Sequence, residues 1–400
     1  MNFSTYLLPL IVLTGIGQTA YCQQPYNIEG KLNGVADGTV IALMVNEGNL
    51  LTTIATDTLQ KGIFHFSGTV PEKTALALTG MSPGFPSQWL DIYVNPGSRI
   101  SISGTDKLLK TWKVDSDIPD QQQQQRFMSH NRTVLNQMQE LLIQERPLFD
   151  QREGADAAKR AMLKNSIDSL RHLEDSLSII INKNDLHLLA TNSQHTSYWM
   201  SVLKGLAIAA RYGSDTTIRS QTMKIYGMLS PTEKNSIAAT EIYQTLNPPI
   251  TVKVGEKIAD TLLNDLEGKT HHLADYKGKY LLIDFWSIGC GPCIAAMPEL
   301  KKIHESAKEN LAVISFSLDL RKETWKKASE HVKMNWLNLS DGKGMTGLAS
   351  KYGVSGIPHY ILISPEGVLV DSWVGYSEGL LEKKVAEFVK ADKVKSGSSL

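Results

Sequence analysis

Two cysteines, Cys290 and Cys293, stand three positions apart with Gly291 and Pro292 between them, after the apolar run Leu281-Leu-Ile-Asp-Phe-Trp286. A Cys-x-x-Cys at the start of a helix puts both sulfurs within disulfide reach, and the free N–H groups and positive dipole end there favour thiolate over thiol. Pro292 suits the first helical turn, where no backbone donor is needed, and Gly291 leaves the approach to Cys290 open. The chemistry this supports is thiol-disulfide exchange, with Cys290 attacking and Cys293, one turn further in, resolving. The alternatives are an inert structural disulfide or half of a zinc site. Structural zinc commonly takes four ligands, whereas the remaining cysteine is Cys22, and His304 and His331 lack ligand spacing.

Around this pair lie Asp284-Phe285-Trp286 upstream, Pro298 in the following helix and Gly356-Ile357-Pro358 further on. In that order, with a closing strand pair and helix, the chain from about Val254 to Lys390 resembles the thioredoxin superfamily. More narrowly it is similar to the extracytoplasmic TlpA- and ResA-like thiol-disulfide oxidoreductases. The resemblance implies a thioredoxin-like α/β fold, a cis bond before Pro358, and a substrate groove shaped by Pro358 with Trp286, Gly291, Pro292 and Ile357 as contacts. It implies protein disulfides as substrates, no metal or organic cofactor beyond the Cys290-Cys293 disulfide, and electrons from a membrane donor that the chain does not identify. Cys-Gly-Pro-Cys leans towards reduction, since thioredoxin, which shares it, sits near about −270 mV. Asp284 matches thioredoxin's buried aspartate, and a desolvated acid of raised pKa can move the proton of Cys293. Two positions depart from the family: Gly289 stands where Trp is frequent before the first cysteine, and Ala296 where ResA-like members often carry Glu. His359, beside Pro358, is read either as tuning the thiolate or touching substrate, or as a plain strand residue.

These residues must be positioned by a larger molecule. Four hundred residues predict more than one domain, and 41 basic against 41 acidic residues offer no electrostatic case for nucleic acid. The apolar run Leu7–Ile16, too short to span a bilayer, reads as an export signal over residues 1–22, which places the chain in the periplasm or cell envelope. A lipoprotein form with Cys22 lipidated is the rival, disfavoured by Tyr21 before it.

Residues 26–117 alternate short apolar runs with turn signals such as Lys61-Gly62 and Pro96-Gly97, which predicts an antiparallel β-sandwich. This stretch resembles the domain of unknown function that precedes thioredoxin-like domains in secreted Bacteroidetes proteins. Residues 118–247 turn to helical periodicity. Gln121–Gln125 is read there as an exposed linker or first turn, and Ile167, Leu170, Leu173, Leu177 and Ile181 as a core stripe beside a hairpin at Pro147 and Gly154. Ser230-Pro-Thr-Glu233 predicts a capping box opening one helix to about Leu246. The helices are read as core, or alternatively as a homodimer or partner surface. After Asn247-Pro-Pro, the thioredoxin-like domain (250–392) carries a hairpin over Thr261–Leu273 with His271 and His272 exposed, a mainly parallel sheet, and a helix from Met345 towards Ile357. Residues 393–400 are expected to be a disordered tail. Two other function classes stand beside the oxidoreductase: a binding module gated by its redox site, and a thiol peroxidase, which would need Thr and Arg near Cys290 where Ile288 and Gly289 stand.

Overall fold

The computed structural model describes residues 24–47, 50–152, 154–213, 215–307 and 309–396. The apolar N-terminal run, Cys22 and the last four residues of the expected tail lie outside them.

Eight strands come first: β1 (Tyr26–Leu32), β2 (Val40–Glu47), β3 (Leu50–Thr58), β4 (Ile63–Gly68), β5 (Thr74–Gly80), β6 (Leu90–Val94), β7 (Arg99–Gly104) and β8 (Lys113–Asp115). They make two four-stranded sheets, ordered β4-β1-β7-β8 and β3-β2-β5-β6. Alternation decides which side chains turn inward: Phe64 and Phe66 are buried while Ile63 and His65 are exposed. Ile28, Phe64 and Ile102 of one sheet and Ile41, Leu78 and Ile92 of the other share one core. Lys61 and Gly62 both take positive φ, 55° and 73°, as a two-residue hairpin turn requires, and a Cβ on Gly62 would meet the Leu32 carbonyl at 2.6 Å. One pair departs from the antiparallel expectation, since β1 and β7 run parallel.

Seven helices follow: α1 (Pro119–His130), α2 (Arg132–Arg152), α3 (Ala157–Thr191), α4 (Ser197–Tyr212), α5 (Thr217–Gly227), α6 (Pro231–Lys234) and α7 (Ile237–Leu246). The glutamine run is not a linker. It lies within α1, and Gln121, Gln123 and Gln124 are buried. Gln121 accepts from the Tyr93 amide at 2.9 Å, and Gln125 from the Val114 amide at 3.2 Å, so the helix satisfies donors on the last strand of each sheet. The α3 stripe is also not a core: Ile167 is buried, but Leu173 is 55% exposed, because α2 and α3 pair as a hairpin with little packed on their outer face. The helical core forms instead from Leu189, Trp199, Leu203, Ile218 and Ile242. The Ser230–Glu233 capping box forms, but the helix it opens closes at Lys234, and Ser236 caps α7 afresh by accepting from the Ala239 amide at 3.2 Å.

After the junction, β9 (Leu263–Asn264) and β10 (Thr270–His271) form the expected small hairpin. The order continues as β11 (Tyr280–Trp286), α8 (Gly291–Ser306), β12 (Leu311–Ser317), α9 (Lys322–Val332), β13 (Leu337–Leu339), α10 (Leu348–Lys351), β14 (His359–Ile363), β15 (Leu369–Val374) and α11 (Leu380–Ser396). The sheet order is β13-β12-β11-β14-β15, parallel among β11, β12 and β13 and antiparallel at β14 and β15, so it is evenly mixed rather than mainly parallel. Every residue of the central β11 is buried, as a strand covered on both faces requires. Leu282 and Trp286 pack with both cysteines, while Leu281, Ile283 and Phe285 pack on the other face. Two further expectations are corrected. The helix foreseen from Met345 to Ile357 is a single turn at Gly344–Thr346 and the short α10, since Gly353 at φ 69° takes the chain out of helix. Lys393–Ser396, foreseen as tail, continue α11.

Candidate redox active site

The central strand delivers the chain to the turn Ser287-Ile288-Gly289, where the Cys290 amide donates to the Ser287 carbonyl at 3.2 Å. Cys290 is the N-cap of α8, and its Sγ accepts from the Cys293 amide at 3.1 Å. The two cysteines are joined as a disulfide with Cα atoms 5.2 Å apart. Cys290 keeps 6% exposure and Cys293 none, while Gly291 and Pro292 are exposed over the bridge. An incoming group therefore meets Cys290 first. Amides at the helix N-terminus stabilise a thiolate formed there.

Asp284 lies two residues before Trp286 on β11, so alternation turns it to the face carrying the cysteines. It is wholly buried; Ser315 donates to its Oδ2 at 3.3 Å, and the Trp336 indole donates to Ser315 at 2.9 Å. Burial pushes the carboxyl up to about 7, against the lowering by the Ser315 bond. Its cross-strand neighbours are Ser315 on β12 and Tyr360 on β14. Asp284 Oδ1 and the Tyr360 hydroxyl are buried without a hydrogen-bond partner.

The Ile357–Pro358 peptide bond is cis. The Pro358 carbonyl accepts from the Gly375 amide at 2.8 Å, whereas the Ile357 main chain makes no backbone bond to the described residues. Ile357 packs against the clusters on both faces, which sets this loop beside the cysteines.

One expected role fails on geometry, and the open reading of His359 is decided for a strand residue. Trp286 is fully buried, with its indole donating to Asn338 at 3.4 Å, so it supports the site from beneath and cannot touch a substrate. His359 turns to the opposite face, edge-on to Phe285 at 6.0 Å and bonded to Ser372 at 2.9 Å, so it does not reach the thiols; burial lowers its pKa. Ala296 is buried among the cysteine cluster and leaves no carboxylate there. The next acid, Glu299, accepts instead from the Gly379 and Glu382 amides at 3.1 and 2.8 Å and caps α11. His271 is not exposed as foreseen: Asp265 and Tyr276 hold its two ring nitrogens at 2.9 and 3.0 Å.

Three participants escaped sequence reasoning. Ser315 and Trp336 reach Asp284 through strand register and packing, which no local pattern encodes. Asp319 accepts from the Ser317 hydroxyl at 2.9 Å and from the Ile288 amide, bracing the turn before Cys290, and burial raises its pKa.

A family model described as AhpC/TSA matches residues 254–372. The chain is 28% identical over 138 residues to the thioredoxin-like protein YneN of Bacillus subtilis, a match covering 34% of this chain and 79% of that one. It is 30% identical over 140 residues to the thiol-disulfide oxidoreductase ResA of Bacillus cereus, covering 33% and 79%. Among solved structures, the thioredoxin domain of a thiol-disulfide oxidoreductase from Bacteroides vulgatus is 33% identical, covers 35% of this chain and 99% of that one, and gives a TM-score of 0.32. Since most of ResA's length is matched at that identity, the chain belongs to the ResA-like, thioredoxin-like thiol-disulfide oxidoreductases.

Proposed function

We propose that Cys290 and Cys293 make this enzyme a reductase of protein disulfides in the periplasm or cell envelope. The observation that carries the reading is the disulfide at the N-terminus of α8, partly open at Cys290 and closed at Cys293, beside a cis proline and above a buried acid. In the reduced enzyme the Cys290 thiolate attacks one sulfur of a substrate disulfide. That S–S bond breaks, a mixed disulfide forms, and the leaving sulfur departs as a thiolate that takes up a proton. Asp284 accepts the proton of Cys293, whose thiolate then attacks Cys290 Sγ. The mixed disulfide breaks, the second substrate thiol is released, and the Cys290–Cys293 disulfide remains. Two electrons have passed to the substrate, and a dithiol donor must return them; a membrane protein fits that role in an oxidising compartment. Pro358 shapes the groove, and the unpaired Ile357 main chain pairs with an extended substrate.

The export signal over residues 1–22 carries the localisation, and no described helix is long and apolar enough to cross a membrane. The reading divides the chain into a β-sandwich (26–117), a helical segment (118–247) and the redox domain (250–392). Equilibration with dithiothreitol buffers and alkylation of free thiols tests the direction. A potential near about −270 mV is expected, and one near about −120 to −180 mV would make the enzyme an oxidant instead. A second reading, a partner-binding or dimerising hairpin, is favoured by Met162, Leu173 and Ile180, all exposed on α3. A monomer that binds no apolar dye would remove it.

A further inference from the structure

Beside the cis-proline loop a cleft of about 860 Å³ opens between the redox domain and the segments before it. One wall is the redox domain itself, from Ser287 and Asp319 to Ile357, with Arg321 and Lys343 exposed along it. The other wall is made of the end of β2, the start of β5, and the facing residues of α4 and α7. The walls are tied together where Gln244 of α7 donates to the Thr346 carbonyl at 3.1 Å.

The charges on the two walls differ in how they are used. Lys73 and Lys204 on the far wall are neutralised by Asp120 and Glu241 at 2.7 and 2.8 Å. Arg321 and Lys343 have no acidic partner among the described residues, and Glu72, on the far wall, has no basic partner among them. Exposed Leu320 and Ile237 add apolar surface, one from each wall. Asp319, 6% exposed, also lines the cleft and is bonded to the Ser317 hydroxyl at 2.9 Å. A cavity of this volume is the size of a ligand pocket, too small to seat a folded domain.

Resting on the reductase reading above, we infer that the substrate site is two-walled, and that it takes an extended, disulfide-bearing segment of a protein whose cysteine is flanked by acidic residues. The segment enters between the walls, sets its carboxylates against Arg321 and Lys343, and reaches Cys290 at the Ile357 end. The N-terminal sheet and helices thereby select substrate, and a basic flank is repelled by the two cations.

The test uses the full chain and two peptides that share one disulfide loop, flanked by Asp and Glu in one and by Lys in the other. Reduced enzyme is mixed with each at low salt, and the ratio of the acidic to the basic rate is measured. Such a ratio is internal to each protein and insensitive to its redox activity or folded fraction. Wild type is expected to favour the acidic peptide by about fivefold or more, with the preference fading as salt shortens the Debye length below about 10 Å. Arg321→Glu with Lys343→Glu is expected to invert the ratio, and Glu72→Lys to raise it. Equal rates in wild type, or a ratio unmoved by the double reversal, would overturn the acidic substrate. A ratio that follows the cations but ignores Glu72→Lys would overturn the second wall. A small aromatic disulfide, too compact to span the cleft, separates these results from failure of the underlying reading: if wild type cannot reduce it, the reductase itself is wrong and the inference falls with it.

Discussion

Asp284 concentrates the electrostatic strain of the site in one carboxyl group. It has no water contact, and its one hydroxyl bond is too weak to hold it ionised against burial, so its proton is held up to about pH 7. In the unfolded chain the same group ionises near the ordinary aspartate value of 3.8. Between those values the folded state binds more protons than the unfolded, so this group's contribution to stability falls as pH rises from about 4 through about 7. Asp284→Asn removes that slope. The variant is expected to be more stable than wild type at pH 8 by a few kcal/mol, at about 1.4 kcal/mol per pKa unit, with the gap closing towards pH 4. Its disulfide exchange is expected to slow. Urea midpoints of the oxidised proteins at both pH values check the first point, and parallel stabilities would show that the buried group carries no proton. Stopped-flow exchange rates across pH check the second.

At the scale of elements, α1 does work that its composition conceals. The Gln121 side chain takes the Tyr93 amide of edge strand β6 at 2.9 Å, and the Gln125 side chain takes the Val114 amide of edge strand β8. Gln139 on α2 does the same for the Lys110 amide at 2.9 Å. An unpaired buried amide costs about 1–3 kcal/mol, so Gln121→Leu is expected to lower the urea midpoint by an amount in that range with an unchanged m-value. Gln122→Leu, on the exposed side of the same helix, is expected to shift stability by less than about 0.5 kcal/mol. Equal effects at the two positions would mean that the edge bonds contribute nothing. A run of five glutamines reads as a solvated linker because its partners lie far away in sequence, as in the pairing of residues 93 and 121.

At the scale of the whole molecule, the chain between α7 and the redox domain is the most exposed apolar point among the described residues: Ile250 is 99% exposed, after Pro248 and Pro249. The Gln244–Thr346 bond holds the two parts together across it, and beyond it the Val252 amide donates to the Lys351 carbonyl and anchors the start of the redox domain. Limited proteolysis is expected to cut first at Ile250, giving two fragments identified by mass. First cleavage inside either part would show that the junction is more protected than its exposure indicates.

Much of the site could be read from the chain because it is local. The Cys-Gly-Pro-Cys spacing, the helix start at Pro292 and the apolar β11 are written within a few residues, and nearest-neighbour geometry and capping suffice to interpret them. The same locality made the Ser230 capping box readable, though not the end of its helix at Lys234 or the second cap at Ser236 that opens α7. Local pattern was silent on everything that depends on which strand lies beside which. Register places Ser315 and Tyr360 on either side of Asp284, and strand alternation turns His359 to the far face. Packing beneath α8 removes Trp286 from the substrate, and the far wall from Val45 to Glu241 makes a groove into a cleft. Burial and long-range pairing are properties of the assembled chain, because desolvation depends on what covers a group and not on what precedes it.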